Sequence, residues 1–458
     1  MLVVGLLISV MLIVATALYS GTHCSQEGMG PCLVSGVLLG TIVGGSCTIG
    51  TAQLAYLYGA CAWWFCLGCT VALIVLALVF ALPFRQQRGR TILGILSSHF
   101  DNRVGMTTSI LSSVGTFISI LCQLIAATSV IAVIVPTFPL TLSLLSAAVF
   151  MIVYVIFGGT RGAGLVGMVK LALVYASMIL CGAIVLTEIG GLDNFFVMVD
   201  GIPNERGIDF LSVFGLGVGK EIGSCVALII GVASTQIYAQ SLCAARSDGV
   251  ARWGSILGAL LIPVIGAMGI LVGLYMRAHF PEIPPKTALT QFVLLHTPEL
   301  VAGVILGTLF VTVVGTGAGL ALGIATVINN DIIQVLFPKQ VDVRTKNRRI
   351  RLGIGCVLLS AAVACALLDS DLILNYAFLS MGLRGTVVFA PLCFALWVRS
   401  RIHPLYPLTS AIVAPVVEFA LHLFANLPVN PLFVGIAVSF GIMAIGWIQS
   451  EKAVDSRS

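Results

Sequence analysis

Residues Gly36–Gly59 read GVLLGTIVGGSCTIGTAQLAYLYG. A bilayer crossing takes about 20 mostly apolar residues, and this stretch is long and apolar enough. It also carries Gly36, Gly40, Gly44, Gly45 and Gly50, with Ser46, Thr48 and Thr51 among them. Gly44-Gly45 falls midway along it. Backbone at membrane depth can leave the helix only where protein or a water-filled cavity satisfies it. Carriers use such interrupted helices near the midplane. The clustered hydroxyls predict a break at Gly44-Gly45; a glycine face for close helix packing is the alternative.

The rest of the chain gives this stretch its setting. Of 458 residues, 59% are hydrophobic and 9% charged, against about 25% charged in an ordinary soluble domain. Thirteen apolar stretches are long enough to span: Leu2–Tyr19, Cys32–Tyr58, Trp63–Phe84, Thr107–Ile134, Leu140–Phe157, Leu165–Thr187, Ile222–Leu242, Trp253–Tyr275, Leu300–Ile328, Leu352–Leu368, Leu372–Val398, Tyr406–Ala425 and Pro431–Ile448. The first lacks a basic n-region and a small-x-small cleavage site, so it reads as a retained membrane helix.

Lys and Arg orient the spans. With the N-terminus outside, 17 of the 23 basic residues fall in cytoplasmic loops, 3 outside, and 3 (Lys170, Lys220, Arg384) in or beside spans. Trp63, Trp64, Trp253, Trp397 and Trp447 all fall at span ends, where amphipathic rings prefer to sit. The net charge of +5 serves orientation and gives no hint of nucleic acid. Most of the thirteen cysteines lie in apolar runs and read as small hydrophobes. Cys24 and Cys32 flank one loop on the reducing side and are expected as thiols. Thr91–Phe100 (TILGILSSHF) reads as a short helix on the cytoplasmic face, and Glu188–Ser212 as an external lid or a plain solvated loop.

Two further spans are polar at depth. The seventh holds Gly231, Ser234, Thr235, Gln236 and Gln240, and stands five spans after the second. That is the spacing of inverted repeats. The ninth holds Thr312, Gly315, Thr316, Gly317 and Gly319. Carbonyls freed at a break plus a threonine hydroxyl make an all-oxygen cage suited to a hard monovalent cation. Ionisable residues within spans are functional candidates. Lys170 either snorkels to the cytoplasmic end or reaches the cation site, where it would replace sodium or carry a proton. Arg384 either attracts an anionic solute or clamps carbonyls. No His/Asp/Glu cluster, nucleophile motif or phosphate loop suggests an enzyme, and no output domain suggests a sensor.

With GTIVGGSCTIGTAQLAYLYG in span two, FGGTRG at Phe157–Gly162, QIYAQSLCAARS closing span seven, GTGAGLALGIATVINNDI in span nine and GLRG at Gly382–Gly385, the chain resembles the solute:sodium symporter family. The resemblance implies an all-α polytopic membrane protein of LeuT-type fold. Five-plus-five inverted repeats would occupy 32–187 and 213–398, flanked by an N-terminal helix and loop (1–31), an external loop (188–212) and two C-terminal helices (399–458). It implies a single transporter domain in the cell inner membrane, symporting a small organic solute with sodium as coupling ion and no other cofactor or metal.

Carried over, the sodium ligands are Gly40, Val43, Thr312, Gly315 and Thr316. Gly315 lacks the family's hydroxyl, a common acidic position falls on Gly167, and Lys170 stands where glutamine is common. The solute would meet Ser46, Cys47, Thr48, Gln53, Thr235 and Gln236 near the midplane, with Gln123 a further option; Lys170 and Arg384 are the coupling candidates. A proton-coupled or uncoupled carrier with Lys170 in place of sodium, and a non-transporting sensor, stay open. Neither the solute nor an oligomeric state is set by the sequence.

Overall fold

The computed structural model describes residues 1–23, 28–87, 91–158, 163–203, 207–333, 342–368, 372–398, 401–424 and 430–455. Cys24 and the end of the FGGTRG motif, residues 159–162, lie outside them.

The described residues are helical, with a single isolated bridge between Met29 and Ala245. In chain order the main helices are α1 (Leu2–His23), α2 (Pro31–Ile42), α3 (Thr51–Tyr58), α4 (Trp64–Val75), α5 (Asn102–Ile134), α6 (Leu140–Gly158), α7 (Ala163–Ile189) and α8 (Val218–Ala233). Then come α9 (Gln236–Cys243), α10 (Asp248–His279), α11 (Glu299–Val327), α12 (Val343–Leu367), α13 (Ile373–Trp397), α14 (Leu405–Phe424) and α15 (Pro431–Asp455).

Among the described residues eight helices are long and apolar enough to cross a membrane, or nine when the bent pair α8 and α9 is taken as one span. This is fewer than the thirteen spans expected from hydropathy. Four further apolar helices are shorter: Leu2–Ile13, Pro31–Ile42, Leu140–Val155 and Leu405–Leu421. Ser46–Gln86 runs as one helical stretch of 41 residues, in which α3 ends at Gly59. There φ is +82°, a region that costs an L side chain energy and glycine almost none. A Cβ at Gly59 would also lie 2.2 Å from the Phe210 carbonyl oxygen, and Ala60 N–H donates to that oxygen at 2.8 Å.

The predicted break at Gly44-Gly45 is present, and the seventh span, polar at depth, is broken as well. α2 stops at Ile42, residues 43–45 leave the helix, and a wide π turn at Ser46–Gly50 leads into α3. α8 and α9 meet at 54° across Ser234-Thr235. The predicted helix at Thr91–Phe100 is there as Ile92–His99, capped by the Thr91 hydroxyl accepting from Gly94 N–H at 2.9 Å. In the predicted lid, Leu192–Asp200 is helical and buries Phe195 and Val199 while Phe196 stays exposed.

α2, α5, α7, α11 and α13 converge on the first break. They do so through close backbone approach. A Cβ at Gly40 would lie 3.3 Å from Gly167 Cα, and one at Gly167 would lie 2.8 Å from the Gly36 carbonyl oxygen. The common acidic side chain of the family has no room at Gly167, because α2 and α7 touch there backbone to backbone.

A cation position and a central cavity at the broken helices

The freed backbone at the first break is satisfied locally. Gly45 N–H donates to Gln123 Oε1 at 3.0 Å, and Gly44 N–H to the Ile42 carbonyl at 3.0 Å. The Thr48 hydroxyl donates to the Gly44 carbonyl at 3.0 Å, the Thr51 hydroxyl to the Ser46 carbonyl at 3.2 Å, and Cys47 Sγ sits 3.4 Å from the Ile42 carbonyl. The polar cluster that marked the break thus pairs largely with its own loosened backbone, as buried peptide groups require.

α11 closes on this point. A Cβ at Gly44 would lie 2.8 Å from Gln123 Oε1 and 3.2 Å from Thr316 Oγ1, and one at Gly45 would lie 2.3 Å from Ala126 Cβ. Only glycine lets the α2 break, α5 and α11 meet at this distance.

Lys170 lies in the same place. Its side chain comes from α7 and is 5% exposed. Nζ donates to the Gly40 carbonyl at 2.9 Å and to Thr316 Oγ1 at 2.9 Å. The Thr316 hydroxyl in turn donates to the Thr312 carbonyl at 2.9 Å. Of the four oxygens expected around sodium here, from Gly40, Val43, Thr312 and Thr316, two hold the ammonium and a third, the Thr312 carbonyl, is one bond behind. Snorkelling to the cytoplasmic end does not describe this side chain. Val43 stands in the break itself, with φ −78° and ψ 86°. Gly315 points its missing side chain at Tyr154: a Cβ there would lie 3.1 Å from both Cζ and the hydroxyl oxygen. The ring of Tyr154 fills the side where the family's second hydroxyl would stand. The Thr312 hydroxyl oxygen is buried and has no hydrogen-bond partner among the described residues.

Beside the Lys170 ammonium is a small cavity lined by the polar residues Thr41, Ser46, Ser119, Gln123, Thr235, Tyr238, Thr316 and Arg384 and the apolar residues Ile42, Phe65, Leu320, Ala377 and Met381. Two of the six expected solute residues, Ser46 and Thr235, line it; four do not. Cys47 and Thr48 turn back to their own helix, as above. Gln53 Oε1 accepts from Ile373 N–H at 3.1 Å, at the start of α13, and Gln236 Oε1 accepts from Ile92 N–H at 2.6 Å. Each of these side chains is drawn to an unpaired backbone group.

Ser119 and Tyr238 went unnoticed in the sequence. Ser119 and Gln123 are four apart on α5, hence on one face, which is the signal that would have found the first. Arg384 is 3% exposed and reaches into the cavity from α13.

Among the described residues the chain is helical, with two broken helices beside a central cavity. The chain belongs to the sodium:solute symporter family, whose model matches residues 24–403. Over 304 residues it is 24% identical to an uncharacterized symporter, YwcA, of Bacillus subtilis strain 168. That match takes in 64% of this chain and spans 58% of the relative's length.

Among solved structures it is similar to a Na+-coupled sialic acid symporter in a substrate-bound outward-open state, with a TM-score of 0.75 at 17% identity, covering 98% of this chain and 96% of that one. It is also similar to Mhp1, a nucleobase-cation-symport-1 family transporter in a closed conformation with bromovinylhydantoin bound, with a TM-score of 0.61 at 13% identity, covering 93% and 94%. These likenesses show a shared fold. The chain is a multi-pass membrane transporter and not an enzyme.

Proposed function

We propose that this chain is a secondary active carrier of a small organic solute, working by alternating access, in which the Lys170 ammonium takes the position that sodium holds in relatives. The observation that carries this reading is the pair of 2.9 Å bonds from Lys170 Nζ to the Gly40 carbonyl and the Thr316 hydroxyl. A sodium ion and an ammonium cannot share those oxygens.

Lysine differs from sodium in one useful respect: it stays on the protein and can give up its proton. A protonated Lys170 ties α2 to α11 through Gly40 and Thr316. A neutral one still donates N–H groups but loses the charge that makes such bonds strong. Protonation from outside and release inside would then bias which side the cavity faces, since a ligand shifts a conformational equilibrium only through different affinity for the two states. The solute would bind in the adjoining cavity, near Ser46, Gln123 and Thr235. The inverted-repeat division of the chain and the N-terminus-outside orientation in a cell membrane belong to the same reading.

Sodium-coupled symport is the second reading. Family membership and the Na+-coupled neighbour favour it, and it requires Lys170 to withdraw so that Gly40, Val43, Thr312 and Thr316 can close on an ion. Proteoliposomes separate the two. A mixture of sugars, amino acids, carboxylates and vitamins is offered under an inward proton gradient without sodium, and under an inward sodium gradient at equal pH. Uptake under the first alone is expected. Accumulation driven by sodium at equal pH would replace this reading with the second.

A further inference from the structure

The cavity is bordered by a second buried cation that the coupling scheme does not use. Arg384 makes five polar contacts, all with neutral groups. Nε donates to the Ser380 carbonyl at 3.1 Å, and Nη1 to the Thr235 hydroxyl at 3.0 Å. Nη2 donates to Ser119 Oγ at 3.1 Å and Ser380 Oγ at 3.0 Å, and contacts Met381 Sδ at 3.2 Å.

A guanidinium has five N–H donors. Nη1 carries two of them and meets one acceptor, so one N–H at the cavity remains uncommitted among the described residues. Ion pairs among those residues join the N-terminus to Glu299, Arg85 to Asp248 and His296 to Glu188; none of them includes Arg384. No residue lining the cavity is acidic, and the Lys170 ammonium bonds to Thr316, another of its lining residues.

Removing a charge from water costs several kcal/mol unless an opposite charge and good hydrogen bonds offset it. Hydroxyls orient the guanidinium without neutralising it. A cavity with two buried cations at its edge and no acid among its lining residues is therefore short of negative charge. Arginine donates charge-assisted hydrogen bonds to carboxylate and phosphate alike, and the uncommitted N–H offers one such bond. Phe65, Leu320 and Ala377 also line the cavity and give it apolar surface. Such a surface suits an organic tail and offers nothing to a hydrated inorganic ion.

We propose that Arg384 is the anion-binding group of the cavity and that the solute is a small organic carboxylate. This rests on the carrier reading above and names its substrate class. A carboxylate taking the uncommitted N–H would sit beside Thr235, the residue at the bend between α8 and α9. Binding would thereby be felt at a hinge. One proton on Lys170 and one carboxylate on Arg384 would also move together without net charge.

The test uses the purified full chain and matched acid and amide probes: lactate with lactamide, and nicotinate with nicotinamide. Thermal unfolding is followed with each probe, and with inorganic phosphate. At least one acid should raise the unfolding temperature while its amide does not. R384Q should weaken that acid about tenfold or more, the loss of a charged hydrogen bond, and R384K should retain part of the response. The wild-type acid–amide comparison stands even if R384Q fails to fold.

Amides acting as well as acids, no response to either acid, a response to phosphate alone, or a folded R384Q that binds acid unchanged would each overturn the proposal. Counterflow of the same probes in proteoliposomes separates it from the carrier reading. Acid binding lost in R384Q without any wild-type counterflow would leave the anion site and remove the carrier. Counterflow of the amides but not the acids would do the reverse.

Discussion

Lys170 Nζ lies 2.9 Å from Thr316 Oγ1, so an ammonium from α7 sits on the hydroxyl that the family resemblance assigned to sodium. The two residues are 146 positions apart in sequence and belong to different predicted repeats. The contact depends on Gly40 and Gly167, whose missing side chains let α2 and α7 close to backbone distance. The same bond also explains how a buried lysine is tolerated: a carbonyl and a hydroxyl stand in for water.

Lys170→Met keeps the length of the side chain and removes the ammonium. Proton-driven uptake should fall to background, while the protein stays folded and still binds solute in a thermal-shift assay. Retained proton-driven uptake in Lys170→Met would show that the lysine is structural only.

Lys170→Gln combined with Gly315→Ser moves the site toward the family pattern. It removes the resident charge and adds a second hydroxyl beside Thr316. The new side chain would crowd Tyr154, at 3.1 Å from its Cβ, so Tyr154→Phe is included to spare one atom of that contact. Sodium stimulation of uptake is expected in this triple variant and absent from the wild type. Uptake that ignores sodium in a folded triple variant would argue against the site assignment.

Gly45→Ala places a methyl 2.3 Å from Ala126 Cβ. Neither backbone can yield cheaply, and overpacking of this kind costs roughly 1–3 kcal/mol. The unfolding temperature should drop and uptake be lost. Gly441→Ala, where a Cβ meets nothing within 4 Å, serves as the control and should leave both unchanged.

Gln123→Leu removes the acceptor of Gly45 N–H, a buried bond of 3.0 Å. An unsatisfied buried donor costs about 1–3 kcal/mol. Lower thermal stability is expected together with weaker solute binding, because Gln123 also borders the cavity. Equal stability with unchanged binding would mean that the break finds another partner.

Composition and hydropathy carried the fold a long way. Glycines at 44–45 and the polar run at 234–236 marked both breaks, since few features other than a cavity permit such backbone in a bilayer. The number of crossings was less legible. Pro31–Ile42 is short because its span is broken, and Ser46–Gln86 runs on without a polar loop because the end of α3 at Gly59 needs only one positive φ.

The site divided along a physical line. Gly40 and Thr316 are joined through Lys170, whose ammonium bonds to both. Most of the expected solute residues did not reach the cavity. Polarity at depth has two causes, and sequence does not separate them: a hydroxyl or amide there either faces a ligand or repairs loosened backbone. Cys47, Thr48, Gln53 and Gln236 do the second. Ser119 and Tyr238 were missed because each looks ordinary within its own helix and gains meaning only from helices distant in sequence.

The central claim is most directly tested by binding of radioactive sodium to the purified protein, measured at equilibrium with and without excess unlabelled sodium. The wild type should show no saturable sodium binding, and the Lys170→Gln, Gly315→Ser, Tyr154→Phe variant should acquire it. Saturable sodium binding by the wild type, abolished by Thr316→Ala, would contradict the account.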